Sequence, residues 1–366
     1  VERVCGTPRA EFLKVAEAFA RTGAPDKAGT IMYAMGWTQH SKATQLIRTA
    51  AILQLLLGNI GVAGGGVNAL RGLANVQGST DMALLFDVLP GYLGTPARKD
   101  HPTLAAYLEK ETPKAGYWVN KPKFFVSLLK AWYGEAATRE NEFAYQYLPK
   151  NSASYSYLDL FEAMYAGQIR GFIVTGQNPA VSGPNSTLER KALEKLEWLV
   201  VRDLFETETA AFWKGPGVNP EKVQTEVFLL PVASHLEREG SYTNSGRLLQ
   251  WKWKAVDPPG DARSDGWFVN QLALKLKALY AGSKAPKDPP ILALPWDYGQ
   301  GEPDLEKVLA EVNGYTVADR KPVKGFAFLA DDGTTACGNW IYSGVFPGEG
   351  QNRAKSRKAD PPESLG

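Results

Sequence analysis

The stretch 171–203 constrains the fold of this chain most. Gly171-Phe172-Ile173-Val174-Thr175 is a short apolar, β-branched run that ends at Gly176-Gln177-Asn178-Pro179, a turn sequence. Ser186-Thr187-Leu188-Glu189 then has the hydroxyl and acid spacing of a capping box and opens a helix, and residues 196–201 form a second apolar run. Strand, glycine turn, helix and strand in that order make a βαβ unit. Such a crossover favours a parallel sheet, with ligands at the C-terminal edge of its strands. The expectation is an α/β protein. Asp203 follows the second strand directly, where a carboxylate reaches the donors of a ribose or a base.

The N-terminal part repeats the alternation. Thr7-Pro8-Arg9-Ala10-Glu11 reads as a helix start with Thr7 as cap, residues 30–34 as a buried strand, and residues 35–40 as a strand-to-helix loop. Ser41 is the expected cap of a helix whose Leu46, Ala50, Leu53 and Leu57 share one face. Gly61-Val62-Ala63-Gly64-Gly65-Gly66-Val67-Asn68-Ala69-Leu70-Arg71-Gly72 follows, and its three successive glycines allow close approach to the backbone. Gly64 to Ala69 fits the loose pattern G-x-G-x-x-A but comes after a helix, whereas the nicotinamide fingerprint needs a strand before it. Arg71 offers paired donors for a carboxylate or phosphate, or it is a structural clamp.

Further along, residues 100–168 read as helices, among them 123–132 and Tyr157–Tyr165. Glu226–Pro231 reads as a strand, 237–247 as a hairpin or exposed loop, and 267–280 as an amphipathic helix. Dense prolines over 284–295 suggest an extended linker, and the polar, basic stretch 348–366 a tail without its own fold.

Composition narrows the function classes. A net charge of +2 over 366 residues gives no electrostatic reason for a nucleic acid or an anionic membrane as main partner. Cys5 and Cys337 lie too far apart in sequence, and are too few, for an iron–sulfur or zinc site made by this chain alone. The three histidines, His40, His101 and His235, lack metal-ligand spacing, and no G-x-x-x-x-G-K-[ST] loop occurs. The expected number of metal ligands from this chain is none.

Tyr33-Ala34-Met35-Gly36-Trp37-Thr38-Gln39-His40, the run from Gln54 to Gly72, Asn75-Val76-Gln77-Gly78, Gly176-Gln177-Asn178-Pro179, Asn244-Ser245-Gly246-Arg247-Leu248-Leu249-Gln250-Trp251 and Asp331-Asp332-Gly333-Thr334-Thr335-Ala336-Cys337-Gly338 together resemble the catalytic large subunit of molybdenum- or tungsten-dependent formate dehydrogenases, of the bis-molybdopterin guanine dinucleotide class. The resemblance implies Rossmann-like parallel-sheet domains of the formate dehydrogenase/DMSO reductase type, and a chain that is the middle of a larger subunit. Residues 1–75 would end one cofactor-binding domain. Residues 76–282 would form a second, with a hairpin excursion near 236–255, and 283–366 would lead as linker and tail toward a C-terminal pterin-binding domain.

The same resemblance implies the site. Arg71 would orient formate, with Met35, Gly36, Gln39, His40 and Gly72 beside the cofactor and Gly176, Asn178, Pro179, Ser182 and Asp203 holding its nucleotide. Electrons would leave through a [4Fe–4S] cluster held by an N-terminal segment, toward an iron–sulfur electron-transfer subunit, with formate and CO2 as substrate and product. A periplasmic location is implied, with a cytoplasmic one open. Two positions depart from the family pattern: Leu73 stands where relatives often carry His or Gln, and Asn339 where many carry a second Cys. Other readings are a non-catalytic cofactor-binding or assembly subunit, and a nitrate- or arsenate-type relative.

Overall fold

Two separate parallel sheets organise the chain, one of two strands and one of three. The computed structural model describes residues 1–356. It falls into two units, Val1–Gly78 with Thr243–Leu248, and Ser79–Tyr242 with the chain from Leu249 onward.

In the first unit, helix α1 (Arg9–Ala20), strand β1 (Thr30–Tyr33), helix α2 (Ala43–Leu56) and strand β2 (Gly66–Ala69) follow in order. β1 and β2 are parallel, with Thr30 opposite Gly66 and Tyr33 opposite Ala69, as a helical crossover requires. A polar crossbar holds the pair. The side chain of Gln54, fully buried on α2, donates to the carbonyls of Gly29 (2.7 Å) and Gly66 (2.6 Å). Asn59, also buried, accepts from Gly29 N (3.1 Å) and donates to Thr22 Oγ1 and Gln54 Oε1 (2.9 Å each). The glycine run is shaped against it: a Cβ on Gly65 would lie 2.1 Å from the carbonyl oxygen of Asn59.

Several expectations need correction here. Pro8, in an extended conformation, takes the cap position of α1 in place of Thr7, and Lys42 takes that of α2 in place of Ser41; neither makes a side-chain cap bond. The 35–40 segment contains a helical turn, Met35–Thr38, closed by Thr38 Oγ1 on the Ala34 carbonyl (3.0 Å). β1 is not a buried strand, since Met32 is 62% exposed, and on α2 Leu46 and Leu53 are exposed while Ala50 and Gln54 are buried.

In the second unit, helix α3 (Lys121–Tyr133) and helix α4 (Tyr157–Tyr165) precede strand β3 (Gly171–Thr175), helix α5 (Ser186–Leu193), strand β4 (Trp198–Asp203) and strand β5 (Glu226–Pro231). The three strands form a parallel sheet in the order β3-β4-β5, with Thr175 opposite Arg202 and Asp203 opposite Pro231. β4, the central strand, buries Leu199 and Val201 against Phe161 and Met164 of α4 and Leu193 of α5. The cap of α5 is Asn185, whose side chain accepts from Leu188 N (3.2 Å), one residue before the expected Ser186. That register sinks Glu189 into the interior, 1% exposed.

A second apolar core surrounds α3, where Phe124, Phe125, Leu128 and Leu129 meet Tyr107 and Tyr145. The C-terminal stretch enters the same core through Val323, Leu329 and Cys337. Cys337 N donates to Ser127 O (2.9 Å), Ser127 and Thr335 share a hydroxyl hydrogen bond (2.9 Å), and Trp340 stacks on Phe124 with centroids 4.5 Å apart. The 283–366 segment is therefore not an extended linker and tail throughout. Pro289–Ala293 is a helical turn, helix α6 (Leu305–Asn313) follows, and Arg353–Lys355 forms a short turn; 357–366 lie outside the described residues.

Candidate functional site

At the C-terminal edge of the β3-β4-β5 sheet, the predicted site residues lie where the chain leaves β3 and β4. Gly176 adopts φ +61, a left-handed conformation that suits glycine, and its N–H donates to Arg202 O (2.9 Å). A Cβ on Gly176 would meet open space. Pro179 is buried at the start of a helical turn, Pro179–Ser182, and Ser182 Oγ donates back to Asn178 O (2.9 Å). Asp203 Oδ1 accepts from Leu204 N (2.7 Å), which holds its carboxylate at the strand end. The edge thus gathers Gly176, Asn178, Pro179, Ser182 and Asp203.

Asn178 is not a free ligand group. Its Oδ1 accepts from Thr209 N (3.0 Å) and Thr209 Oγ1 (2.7 Å), and its Nδ2 donates to Glu208 Oε2 (2.5 Å). Thr209 Oγ1 in turn accepts from Ala180 N (3.1 Å). The Glu208 carboxyl is held below its ordinary range by its own backbone N–H and then by Asn178. Below the edge, Arg202 is 3% exposed, paired with Asp265 Oδ1 at 2.9 Å and stacked 4.2 Å over Phe268. Burial lowers its pKa, but a guanidinium stays charged, and Asp265, which also pairs with Arg238, supplies the counter-charge.

In the first unit, the parallel register of β1 and β2 sets their exits side by side. Leu70 N donates to Tyr33 O (2.7 Å), one ladder step beyond the strands, so Met35–Thr38 and Arg71 leave from neighbouring ends. The rings of Tyr33 and Trp37 stack with centroids 5.8 Å apart. Met35, Gly36, Gln39, His40, Arg71 and Gly72 are all exposed, and the side chains of Gln39, His40 and Arg71 have no hydrogen-bond or ion-pair partner among the described residues. A Cβ on Gly36 or Gly72 would meet nothing within 4 Å.

Each edge by itself suits an anionic, hydrogen-bonding group. That of the first unit has open glycine surfaces at Gly36 and Gly72 and uncommitted donors on Arg71, Gln39 and His40, and that of the second has an open surface at Gly176 and backbone N–H groups of Gln177 and Asn178 with no acceptor among the described residues. The described residues contain no group of three or more His, Cys, Asp or Glu that could hold a metal ion.

Gln54, Asn59, Glu208 and Thr209 were not anticipated. For Gln54 a signal exists, because it stands one turn after Ala50 on the helix face that packs inward. Nothing in residue type or spacing marks Glu208 or Thr209, whose partner lies about thirty residues away in sequence.

A family model described as Molybdopterin oxidoreductase matches residues 5–213. The nitrate-inducible formate dehydrogenase major subunit of Escherichia coli is 45% identical over 99% of this chain and 38% of its own length. The formate dehydrogenase subunit alpha of Megalodesulfovibrio gigas is 45% identical over 98% of this chain and 37% of its own. The formate dehydrogenase 2 subunit alpha (cytochrome c-553) of Nitratidesulfovibrio vulgaris is 46% identical with the same coverage. The chain spans a little over a third of the length of these relatives.

Proposed function

The chain belongs to the molybdopterin oxidoreductase family, and from that premise we propose that it is the central part of a formate dehydrogenase catalytic subunit, which interconverts formate and CO2. The observation that carries the reading is Arg71, an uncommitted guanidinium one step past the β1–β2 ladder, beside the Met35–His40 exit. Formate is a single small carboxylate. A planar guanidinium pairs with both of its oxygens and leaves the C–H bond directed away from the arginine.

The cofactor would be bis-molybdopterin guanine dinucleotide with Mo or W; the chemistry it supplies when bound is acceptance of the two electrons released as formate loses its proton and becomes CO2. This chain's part is binding and orientation. Gly36 and Gly72 leave room at one strand edge, with Met35, Gln39 and His40 beside them. Gly176, Pro179, Ser182 and Asp203 form the nucleotide edge of the other sheet, where Asp203 accepts from sugar or base donors. We extend the proposal to a [4Fe–4S] cluster in the portion of the subunit outside this chain, an iron–sulfur partner subunit beyond it, and a periplasmic location. Among the described residues no helix is long and apolar enough to cross a membrane.

The test uses the complete subunit with its partners. Arg71→Ala lowers kcat/KM for formate by roughly a hundredfold, the scale of a lost charge-assisted pair, while metal and pterin content stay unchanged; Arg71→Lys retains part of the activity. Full turnover by Arg71→Ala at full metal content would reject the orienting role and favour a scaffold function for this segment.

A further inference from the structure

We propose that Thr209 is a positioning residue of the nucleotide edge, acting through Asn178, and that Asn178 is a strut of that edge rather than a contact to the ligand. The inference rests on the cofactor reading above. Thr209 is fully buried, yet it carries a hydroxyl. Burial of an unpaired hydroxyl is costly, and this one is fully used: it donates to Asn178 Oδ1 and accepts from Ala180 N. Its own N–H donates to the same Asn178 oxygen. Glu208 takes the other end of the carboxamide.

Four hydrogen bonds therefore close a loop between the exit of β3 and the exit of β4, through three side chains, those of Asn178, Glu208 and Thr209, and two backbone N–H groups. The clasp does three things. It fixes the Asn178 side chain toward the protein, it ties the Pro179–Ser182 turn to residue 209, and it sets the spacing between Gly176 and Asp203 from outside the β-ladder. A pre-set edge binds its ligand without first ordering two loops, so loosening the clasp weakens binding without removing any contact. Asn178 has only one Nδ2 hydrogen left uncommitted, and its oxygen already accepts twice.

A double-mutant cycle in the complete subunit separates strut from ligand. The variants are Thr209→Val, Asn178→Ala, both together, and Thr209→Ser, and each is scored by the rate of pterin and metal loss on dilution and by hydrogen exchange at the Ala180 amide. The expected result is that Thr209→Val and Asn178→Ala each speed cofactor loss about tenfold, that the double variant is no worse than either, and that Thr209→Ser stays within threefold of the parent. Exchange at Ala180 rises in step, and the KM for formate of the remaining loaded sites is unchanged. If Thr209→Val does not fold, Asn178→Ala, at the partly exposed turn, reads the same clasp through Ala180 exchange and cofactor loss.

Additive losses with Asn178→Ala the larger would make Asn178 a direct ligand and overturn the proposal. So would faster Ala180 exchange with unchanged cofactor retention. A parent protein that carries no guanosine-bearing pterin at all would bring down the cofactor reading itself, an outcome visible before any variant is made.

Discussion

Replacing Gln54 by Leu removes the crossbar of the first unit without changing its size much, and its cost can be worked from the bonds lost. Three hydrogen bonds end at this side chain: two from Nε2, to Gly29 O and Gly66 O, and one received from Asn59 Nδ2. Gly66 O keeps a second donor, the hydroxyl of Thr30 at 3.2 Å. Gly29 O and one Asn59 N–H lose the partner described here. Each such buried group costs about 1–3 kcal/mol, and the added apolar contact of Leu offsets part of it, which leaves a local loss of about 3 kcal/mol. At about 1.4 kcal/mol per factor of ten, the β1 and β2 amides of the complete subunit should exchange roughly a hundredfold faster. Leu56→Gln, at a position 78% exposed, is the control and should leave exchange unchanged. Exchange in Gln54→Leu within threefold of the parent would refute the view that this polar network, rather than the strand pairing alone, holds the two exits together.

Three further outcomes follow from the packing. Gly65→Ala drives a methyl into the Asn59 carbonyl and should lower stability by about 1–3 kcal/mol in thermal unfolding, whereas Gly36→Ala, in open space, should not. Burial raises the pKa of Glu189, so its native pKa lies above its unfolded one. The sign is then fixed: its contribution is full below the ordinary carboxylate range and is lost as pH rises through the raised value. Glu189→Gln should therefore flatten the pH dependence of unfolding and stabilise most at neutral pH. Cys337 is buried, with its thiol pushed up to about 11 by burial, while Cys5 is exposed, so iodoacetamide should label Cys5 in the native protein and Cys337 only on unfolding, as read by peptide mass.

The parts of this fold legible in the sequence are those written in local chemistry. Gly171–Thr175 and Glu226–Pro231 form strands over the ranges expected, because short apolar runs between turn residues have few other solutions. Tyr157–Tyr165 is a helix as read, whereas the strand Gly66–Ala69 is hidden in a glycine run whose residue types do not mark a strand. Capping was misplaced by one residue at Asn185 because Asn, Ser and Thr all satisfy the same orphan amides, and only the tertiary burial of Glu189 sets the register. The proline-dense 284–295 stretch reads as an extended linker because prolines alone carry no record of Ala293 and Leu294 packing on the α3 core. At the site, glycine and arginine positions were visible as residue types. The commitment of Asn178 to Thr209 was not, since a carboxamide looks the same in sequence whether it faces a ligand or its own chain.

The lodging of Val323, Leu329 and Cys337 among the side chains of Lys121–Tyr133 has a consequence for biosynthesis. The nascent chain presents that helix to the cell long before its last packing partners emerge from the ribosome. About 190 residues separate Leu148 from Cys337, which at roughly 5–20 residues per second is on the order of 10–40 s of translation. During that interval the aromatic face of the helix has no C-terminal cover, so a holding chaperone would find its substrate there, and premature termination before residue 323 should yield aggregates rather than a smaller soluble product.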